Sequence, residues 1–254
     1  MLVPQDAACL AIVPTYNEAE NIGRIVARIL DAVPTAHVLV VDDASPDGTG
    51  RIADELAAAD ERVSVQHRAG KEGLGAAYVA GFRWGLDRGY RVLVEIDADG
   101  SHPADVLPTM LRALDGPARP GLVIGSRWVP GGSVVNWPRQ REFLSRAGNL
   151  YSRLALRISV RDATAGFRAY RADVLAAMPL ERVASRGYFF QVDMTLRTLD
   201  AGHEIVEVPI EFREREAGVS KMSGGIVREA MLKVTVWGAQ RAWRRLRGRP
   251  VRTD

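Results

Sequence analysis

From Cys9 onward the chain alternates short apolar runs of strand length with longer stretches of helical periodicity. CLAIV (9–13), HVLVV (37–41), VSV (63–65), RVLVEI (91–96) and GLVIGS (121–126) are β-rich, and helix-like segments lie between them near residues 18–32, 48–59, 73–88 and 103–114. Such repetition predicts a mainly parallel sheet covered by helices on both faces, with ligands gathered at the carboxyl ends of the strands. After GSRW the pattern loosens into VPGGSVVNWP, a helix-like stretch from about Arg139 to Leu156, and RDATAGFRAYRADVL. A last strand candidate, HEIVEVPIEF (203–212), precedes REREAGVSKMSGG and a final helix from about Gly225 to Arg245. No repeat, low-complexity segment or long linker interrupts this order. The expectation is one α/β domain over residues 1–240 and a basic tail over 241–254.

Composition changes the picture in two places. With 254 residues, 47% of them hydrophobic and 26% charged, the chain can bury a core large enough for one α/β domain. Its single cysteine, Cys9, excludes an intramolecular disulfide framework and a cysteine-based zinc cluster, and reads as core in a reducing compartment. The net charge of +3 is unevenly spread: residues 241–254 hold six arginines and one aspartate, net +5, which leaves −2 for the remainder. No apolar stretch approaches the ~18 residues of a membrane span and the N-terminus lacks a signal-peptide layout, so a cytoplasmic or peripheral protein is expected.

The chemistry gathers where strands end. The first strand runs into PTYNEAEN, where Pro14 stops the strand and Asn17 is placed to cap a helix with Glu18 and Glu20 in its first turn. The second runs into DDASPDGTG, which by itself reads as a tight turn. The fourth runs into DADGSHP, with Asp97 and Asp99 spaced by one residue. Neither the G-x-G-x-x-G of a dinucleotide fold nor the G-x-x-x-x-G-K-[ST] of a P-loop is present. Three neighbouring strand ends thus carry Tyr16 with Glu18, Asp42 with Asp43, and Asp97 with Asp99, a concentration of negative charge that calls for a counter-ion. A D-x-D pair in a turn presents oxygen ligands to a hard divalent ion such as Mg²⁺ or Mn²⁺, with substrate phosphates completing the shell. A solvated turn is the plain alternative for any D-x-D taken alone.

Taken together, VPTYNEAENI, VVDDASPDGT, EIDADGSHP, GSRWVPGG, TAGFRAYR and FREREAGVSKM resemble the dolichol-phosphate mannose synthases, also called polyprenol monophosphomannose synthases, of glycosyltransferase family 2. The resemblance covers roughly residues 9–235. It implies a GT-A fold, a three-layer α/β/α sandwich that binds a nucleotide-sugar and moves mannose from GDP-mannose to a polyprenyl (dolichyl-type) phosphate with inversion. By motif position Pro14, Tyr16, Glu18, Val41 and Asp43 would hold the guanosine, and Asp97, Ala98, Asp99 and Ser101 the diphosphate. Asp97, Asp99 and Ser101 would take the metal, Mg²⁺ or Mn²⁺. Gly100 stands where the family usually has Leu, which suggests a more mobile loop. Arg215 and Lys221 fall where the family places cations on the diphosphate, and for Asp193 the resemblance implies a contact to the mannose.

An acceptor phosphate is already anionic, so the reaction needs positioning and charge stabilisation more than a strong base. Arginines suit such a phosphate through their planar fork. Arg127 in GSRW, with Arg141 and Ser145 in the helix that follows, are the candidates for the acceptor phosphate, Arg127 also facing the donor; a solvated basic helix face is the alternative for the latter two. Asp97, Asp99 and Arg127 are the expected catalytic residues. His102 reads as a helix-start residue before Pro103 and the run GYFFQVDM as core. Trp237 and Trp243 with the tail arginines suit the headgroup layer of an anionic membrane, so the expected location is the cytoplasmic membrane face, with a separate membrane-anchoring protein as a possible aid. No nucleic-acid motif accompanies the basic tail. A UDP-sugar-dependent transferase on the same class of lipid, or a non-catalytic nucleotide-sugar-binding subunit, are the alternatives.

Overall fold

The structure is a computed structural model and describes residues 9–183, 188–214 and 224–246. The expected alternation forms in the first half: β1 (Cys9–Thr15), α1 (Ile22–Ala32), β2 (His37–Asp42), α2 (Thr49–Ala59), β3 (Val63–His67), α3 (Leu74–Asp87), β4 (Val92–Glu95), a 3₁₀ turn (Ala104–Val106), α4 (Leu107–Leu114) and β5 (Leu122–Ser126). The second half adds β6 (Ser133–Val135), α5 (Arg139–Leu156), β7 (Arg168–Arg171), α6 (Ala172–Ala176), α7 (Tyr188–Asp200), β8 (Ile205–Pro209), β9 (Glu211–Arg213) and α8 (Gly224–Leu246). Helix α8 therefore runs through residues 241–246, the start of the expected tail, and residues 247–254 lie outside the described residues.

Seven strands pair in the order β3-β2-β1-β4-β7-β5-β8. All neighbours are parallel except β7, which runs antiparallel to both β4 and β5. The sheet is mainly parallel, as expected. The strand that breaks the rule had no strand signal, because RAYR lacks the apolar run of a buried strand. Its Arg168 is nevertheless fully buried and sits directly opposite Glu95 of β4. The stretch expected as one strand over 203–212 divides at Ile210: β8 closes the main sheet and β9 pairs with β6 as a separate two-stranded ribbon.

Two apolar layers sandwich the sheet. Alternate residues of β1 face opposite sides, Leu10 and Ile12 joining Tyr78, Phe82 and Tyr170 on one face and Ala11 and Val13 joining Ile25, Ile29 and Leu107 on the other. Helix α3 lies close against the sheet because it carries glycine at the contact. A Cβ at Gly81 would sit 2.5 Å from Ile12 Cγ2, and one at Gly85 2.4 Å from Leu93 Cδ2. Small residues in GLGAAYVAGFRWGL thus serve close packing.

The start of α1 departs from expectation. Asn17 does not cap it: the residue takes a left-handed conformation (φ 60) and gives its N–H to Ser45 Oγ at 3.1 Å. Residues 18–21 form a turn in which Glu18 C=O accepts from Asn21 and Ile22, and the helix begins after Asn21.

Candidate functional site

The sheet order sets β2, β1 and β4 side by side and β5 two strands beyond β4. Their carboxyl ends open on a cavity of about 410 Å³ walled by Pro14, Tyr16, Glu18, Asp43, Asp97, Ala98, Asp99 and Arg127. Because β7 runs the other way, the loop entering it, with Thr164 and Gly166, reaches the same edge. Helix α5 closes one side with Arg141, Leu144, Ser145, Gly148 and Ser152, and Gln191, Phe212 and Met231 complete the wall. Ten of the residues picked from sequence meet here. Val41 and Ser101 do not. Val41 is wholly buried in the core on β2, and the Ser101 side chain is buried away from the cavity wall. Arg215 and Lys221 lie outside the described residues.

The acid-rich turn after β2 divides its labour. Asp42 is structural, accepting from Thr15 Oγ1 (2.9 Å), Ser45 N–H (3.1 Å) and Ser45 Oγ (2.5 Å). Thr49 Oγ1 accepts the N–H of Glu18 at 2.9 Å and Asp47 accepts that of Ala19 at 3.1 Å, so the second turn clamps the first. Asp43 is the one that reaches the cavity. Burial pushes its carboxyl upward, and Arg68, at 2.5 Å, pulls against that. Ala44 takes a left-handed conformation (φ 56) directly after it, backbone strain that aims this turn. Lys71, not picked from sequence, lines the cavity with its ammonium 3.9 Å from the centre of the Tyr16 ring. Its signal was a lone cation in the loop GKEG before α3.

The D-x-D turn is built from below. Asp97 Oδ1 accepts from the buried Tyr78 hydroxyl at 3.0 Å, and the backbone N–H of Asp97 points to His102 Nδ1 at 3.4 Å. His102 lies against Phe167 and Phe212, and burial lowers its pKa, keeping the imidazole neutral with Nδ1 as acceptor. Asp99 Oδ1 accepts the Ser101 N–H at 3.0 Å, so Ser101 orients Asp99 through its backbone. Gly100 has φ +74, a conformation that glycine allows and a Leu would strain; the glycine makes the turn. Among the described residues no group of three or more His, Cys, Asp or Glu side chains converges as a closed metal cage. Two carboxylates on a cavity wall fit a hard ion that draws its other ligands from water and phosphate.

Beneath Asp97 lies a buried polar layer. Gln191 Nε2 donates to Glu95 Oε2 at 2.6 Å, and burial raises the Glu95 carboxyl to about 7, with Arg168 opposing the rise. Arg168 itself donates to the carbonyls of Ala163 and Ala165, both at 2.7 Å, and to Thr195 Oγ1 at 3.0 Å. This ties the loop carrying Thr164 to the sheet.

Arg127 is not a loose surface cation. Asp162, fully buried, accepts its backbone N–H at 2.9 Å, its Nε at 2.8 Å and its Nη2 at 2.7 Å. The guanidinium also lies 5.4 to 5.5 Å from the rings of Trp128, Trp137 and Phe212. Glu207 of β8 holds the N–H groups of Arg161 and Asp162 in turn, at 2.8 and 2.9 Å. Sequence reasoning missed Asp162 because it sits in a segment with no periodicity. Arg141 stacks on Trp137 at 4.1 Å and pairs with Glu214. Asp193 does not line the cavity; it is buried on α7 and paired with Arg197.

Comparison with known proteins gives consistent matches. The family model described as Glycosyl transferase family 2 matches residues 10–178. An undecaprenyl-phosphate mannosyltransferase of Micrococcus luteus is 59% identical over 240 residues, 94% of this chain and 98% of that protein. A polyprenol monophosphomannose synthase of Mycolicibacterium smegmatis is 58% identical over 240 residues, 94% of this chain and 90% of that protein. Among solved structures, the mannosyltransferase PcManGT from Pyrobaculum calidifontis, in complex with GDP-Man and Mn²⁺, superposes with a TM-score of 0.60 at 20% identity, covering 96% of this chain and 66% of that one. A glucosyl-3-phosphoglycerate synthase from Mycobacterium tuberculosis, with Mn²⁺, UDP-glucose and phosphoglyceric acid, gives 0.67 at 18% identity over 92% of this chain and 80% of that one. At these identities the structural likeness speaks to the fold.

Proposed function

The chain belongs to glycosyl transferase family 2 and has the GT-A fold, and from that premise we propose that it moves mannose from GDP-mannose to a polyprenyl phosphate at the cytoplasmic face of a membrane. The observation that carries this reading is the meeting, in one cavity, of the Tyr16–Glu18–Asp43 end, the Asp97–Asp99 turn and the arginine end made by Arg127 and Arg141. The names of the two bacterial relatives support polyprenyl phosphate as acceptor and mannose as the sugar.

In this proposal Tyr16, Glu18 and Asp43 bind the guanosine, with the backbone near Val41 as a further contact, and Lys71 sits beside them as a cation. Asp97 and Asp99 would hold Mg²⁺ or Mn²⁺. When bound, that ion supplies positive charge to the diphosphate of the donor. Arg127, fixed by Asp162 in its aromatic surround, and Arg141, steadied on Trp137, hold the acceptor phosphate with Ser145. A phosphate oxygen then bonds to the anomeric carbon on the face opposite the leaving GDP, whose bond to that carbon breaks, with inversion. No side chain has to remove a proton, since the acceptor is ionised at neutral pH. Arg215 and Lys221 are assigned, on the resemblance alone, to the departing diphosphate.

The test is incubation with radiolabelled GDP-mannose, a polyprenyl phosphate and Mg²⁺ or Mn²⁺, scoring label in the organic phase. Label should appear there, GDP should inhibit and UDP should not. Label arriving only from UDP-sugars would redirect the reading to a sister transferase. Unchanged transfer by Asp99→Ala in the native complex would mark the chain as a non-catalytic subunit.

A further inference from the structure

The run GYFFQVDM, read from sequence as core, contains one residue that core packing does not explain. Phe189, Phe190 and Met194 of α7 join the apolar layer that holds Tyr78 and Tyr170. Gln191, only 3% exposed, lines the cavity. Its Nε2 is committed to Glu95 Oε2 at 2.6 Å, while its Oε1 has no partner in the protein. A buried carbonyl oxygen without a donor is costly, and one on the wall of a site is satisfied by what binds there.

The chemistry of the unpartnered atoms sorts them by ligand. Among the described residues, three buried polar side-chain atoms of the cavity wall lack a partner: Trp137 Nε1, Arg141 Nε and Gln191 Oε1. The first two are donors at the arginine end, and phosphate oxygens match them. The third is an acceptor. Ionised phosphates present acceptors and an isoprenoid chain has no polar hydrogen, so neither satisfies a carbonyl oxygen. A sugar hydroxyl does. The guanosine also carries N–H and O–H groups, but Tyr16, Glu18 and Asp43, the residues assigned to it, follow β1 and β2, whereas Gln191 is bonded to Glu95 of β4.

The buried polar layer also fixes what lies beside Gln191. Arg168 donates to the carbonyls of Ala163 and Ala165 and to Thr195 Oγ1, one turn beyond Gln191 on α7. Thr195 in turn donates to the Gln191 carbonyl at 2.8 Å. Gln191 and the loop through Gly166 are thereby held in one frame. At Gly166 the wall is bare backbone: a Cβ there would lie 3.5 Å from Asp97 Oδ2, so the missing side chain leaves room beside that carboxylate. The hexose is the part of a nucleotide-sugar joined directly to the diphosphate that Asp97 and Asp99 are proposed to hold.

We infer that Gln191 determines donor-sugar specificity, its amide oxygen accepting a hydrogen bond from one hydroxyl of the hexose while Glu95 holds the amide nitrogen. This rests on the nucleotide-sugar donor assigned above. Asp193, two residues further on, takes no part, being paired with Arg197.

The experiment measures kcat/KM for GDP-mannose and for each of its singly deoxygenated analogues, with Mn²⁺ and a short-chain polyprenyl phosphate, in wild type, Gln191→Met and Gln191→Asn. Methionine fills a similar volume without the amide; asparagine keeps an amide opposite Glu95 but draws its oxygen back by one methylene. Wild type should use one deoxy donor at least roughly tenfold less well than GDP-mannose. Gln191→Met should erase most of that ratio and leave the others as they are, and Gln191→Asn should shift the same ratio in the same direction. Each ratio is taken within one preparation, so a fraction of unfolded variant does not alter it. A wild type that disfavours no deoxy donor, or a discrimination that both variants keep, overturns the inference. So does an activity loss equal across all donors, which leaves Gln191 as a strut of the buried layer. Failure of the donor assignment reads differently: wild type then transfers nothing from GDP-mannose, and loss of a single ratio among deoxy forms of the UDP-hexose it does use supports Gln191 while removing GDP-mannose.

Discussion

The buried pair of Arg127 and Asp162 offers the most quantitative test of how the proposed acceptor end is built. Asp162 has no exposed side-chain surface and Arg127 very little, and three of the hydrogen bonds between them are 2.9 Å or shorter. Asp162→Ala would leave a guanidinium in a protein wall without its counter-charge and a backbone N–H without its acceptor. Breaking one side of such a pair costs about 3–5 kcal/mol, whereas removing both partners costs much less than the sum, because no uncompensated charge remains. The double variant Arg127→Ala, Asp162→Ala should therefore show a coupling of at least about 2 kcal/mol in a double-mutant cycle. For a chain of this size 1 kcal/mol moves the thermal midpoint by about 2–4 °C, so a loss of about 3–5 kcal/mol should lower the Asp162→Ala midpoint by about 6–20 °C, with partial recovery in the double variant. Asp162→Asn keeps the shape but not the charge, and should raise the KM for the lipid phosphate while leaving the donor KM near its wild-type value. Thermal unfolding gives the first readout and steady-state kinetics with each substrate varied gives the second. If the single effects add to within about 0.5 kcal/mol, or the acceptor KM does not move, Asp162 does not position Arg127 and the account of the acceptor end is wrong.

Four further outcomes are expected. Asp99→Ala should lower mannosyl transfer at least about 100-fold, the scale for losing electrostatic stabilisation of a leaving group, and chelator treatment should do so reversibly on adding back Mn²⁺ or Mg²⁺, as read by label in the organic phase. Glu95 holds its proton up to about 7 in the folded chain against 4.5 ordinarily, so the folded state binds more protons between those values and stability falls by ~3 kcal/mol as pH rises through that window, then levels off; Glu95→Gln should flatten this slope in denaturant titrations of metal-free protein. Gly85→Ala sets a Cβ 2.4 Å from Leu93 Cδ2 and 2.9 Å from Leu10 Cδ2, and the overpacking of ~1–3 kcal/mol should outweigh the ~1 kcal/mol gained in helix propensity, lowering the urea midpoint. Lys71→Ala should raise the KM for GDP-mannose by roughly tenfold with the acceptor KM unchanged, since the ammonium lies over Tyr16 at the opposite end of the site from Arg141.

How much was legible differs along the chain. The β–α units of the first half announced themselves because each buried strand is a continuous apolar run and each helix shows its period. The same order brought Asp43, Asp97 and Asp99 to neighbouring strand ends, since parallel strands deliver their carboxyl ends to one edge of the sheet. Strand β7 stayed hidden because the first of its buried residues is an arginine, held by the Ala163 and Ala165 carbonyls, by Thr195 Oγ1 and by the Glu95 opposite it, none adjacent in sequence. The capping role offered to Asn17 failed for a related reason: local helix grammar was overridden by Ser45, brought near from the next turn.

What the amino-acid order determined by itself was the alternation of elements, the D-x-D turn and the family, because these depend on local periodicity and on short motifs. Which of the acids face the cavity and which act as struts was decided only by the tertiary structure. Asp42 and Asp43 are neighbours in sequence, yet one is consumed by Thr15 and Ser45 and the other lines the cavity. The outward exposure of Phe143, Leu150 and Leu154 on α5 is likewise a tertiary fact: periodicity reveals that a helix has two unlike faces, and only packing against α8 and the core says which residues are turned to the outside.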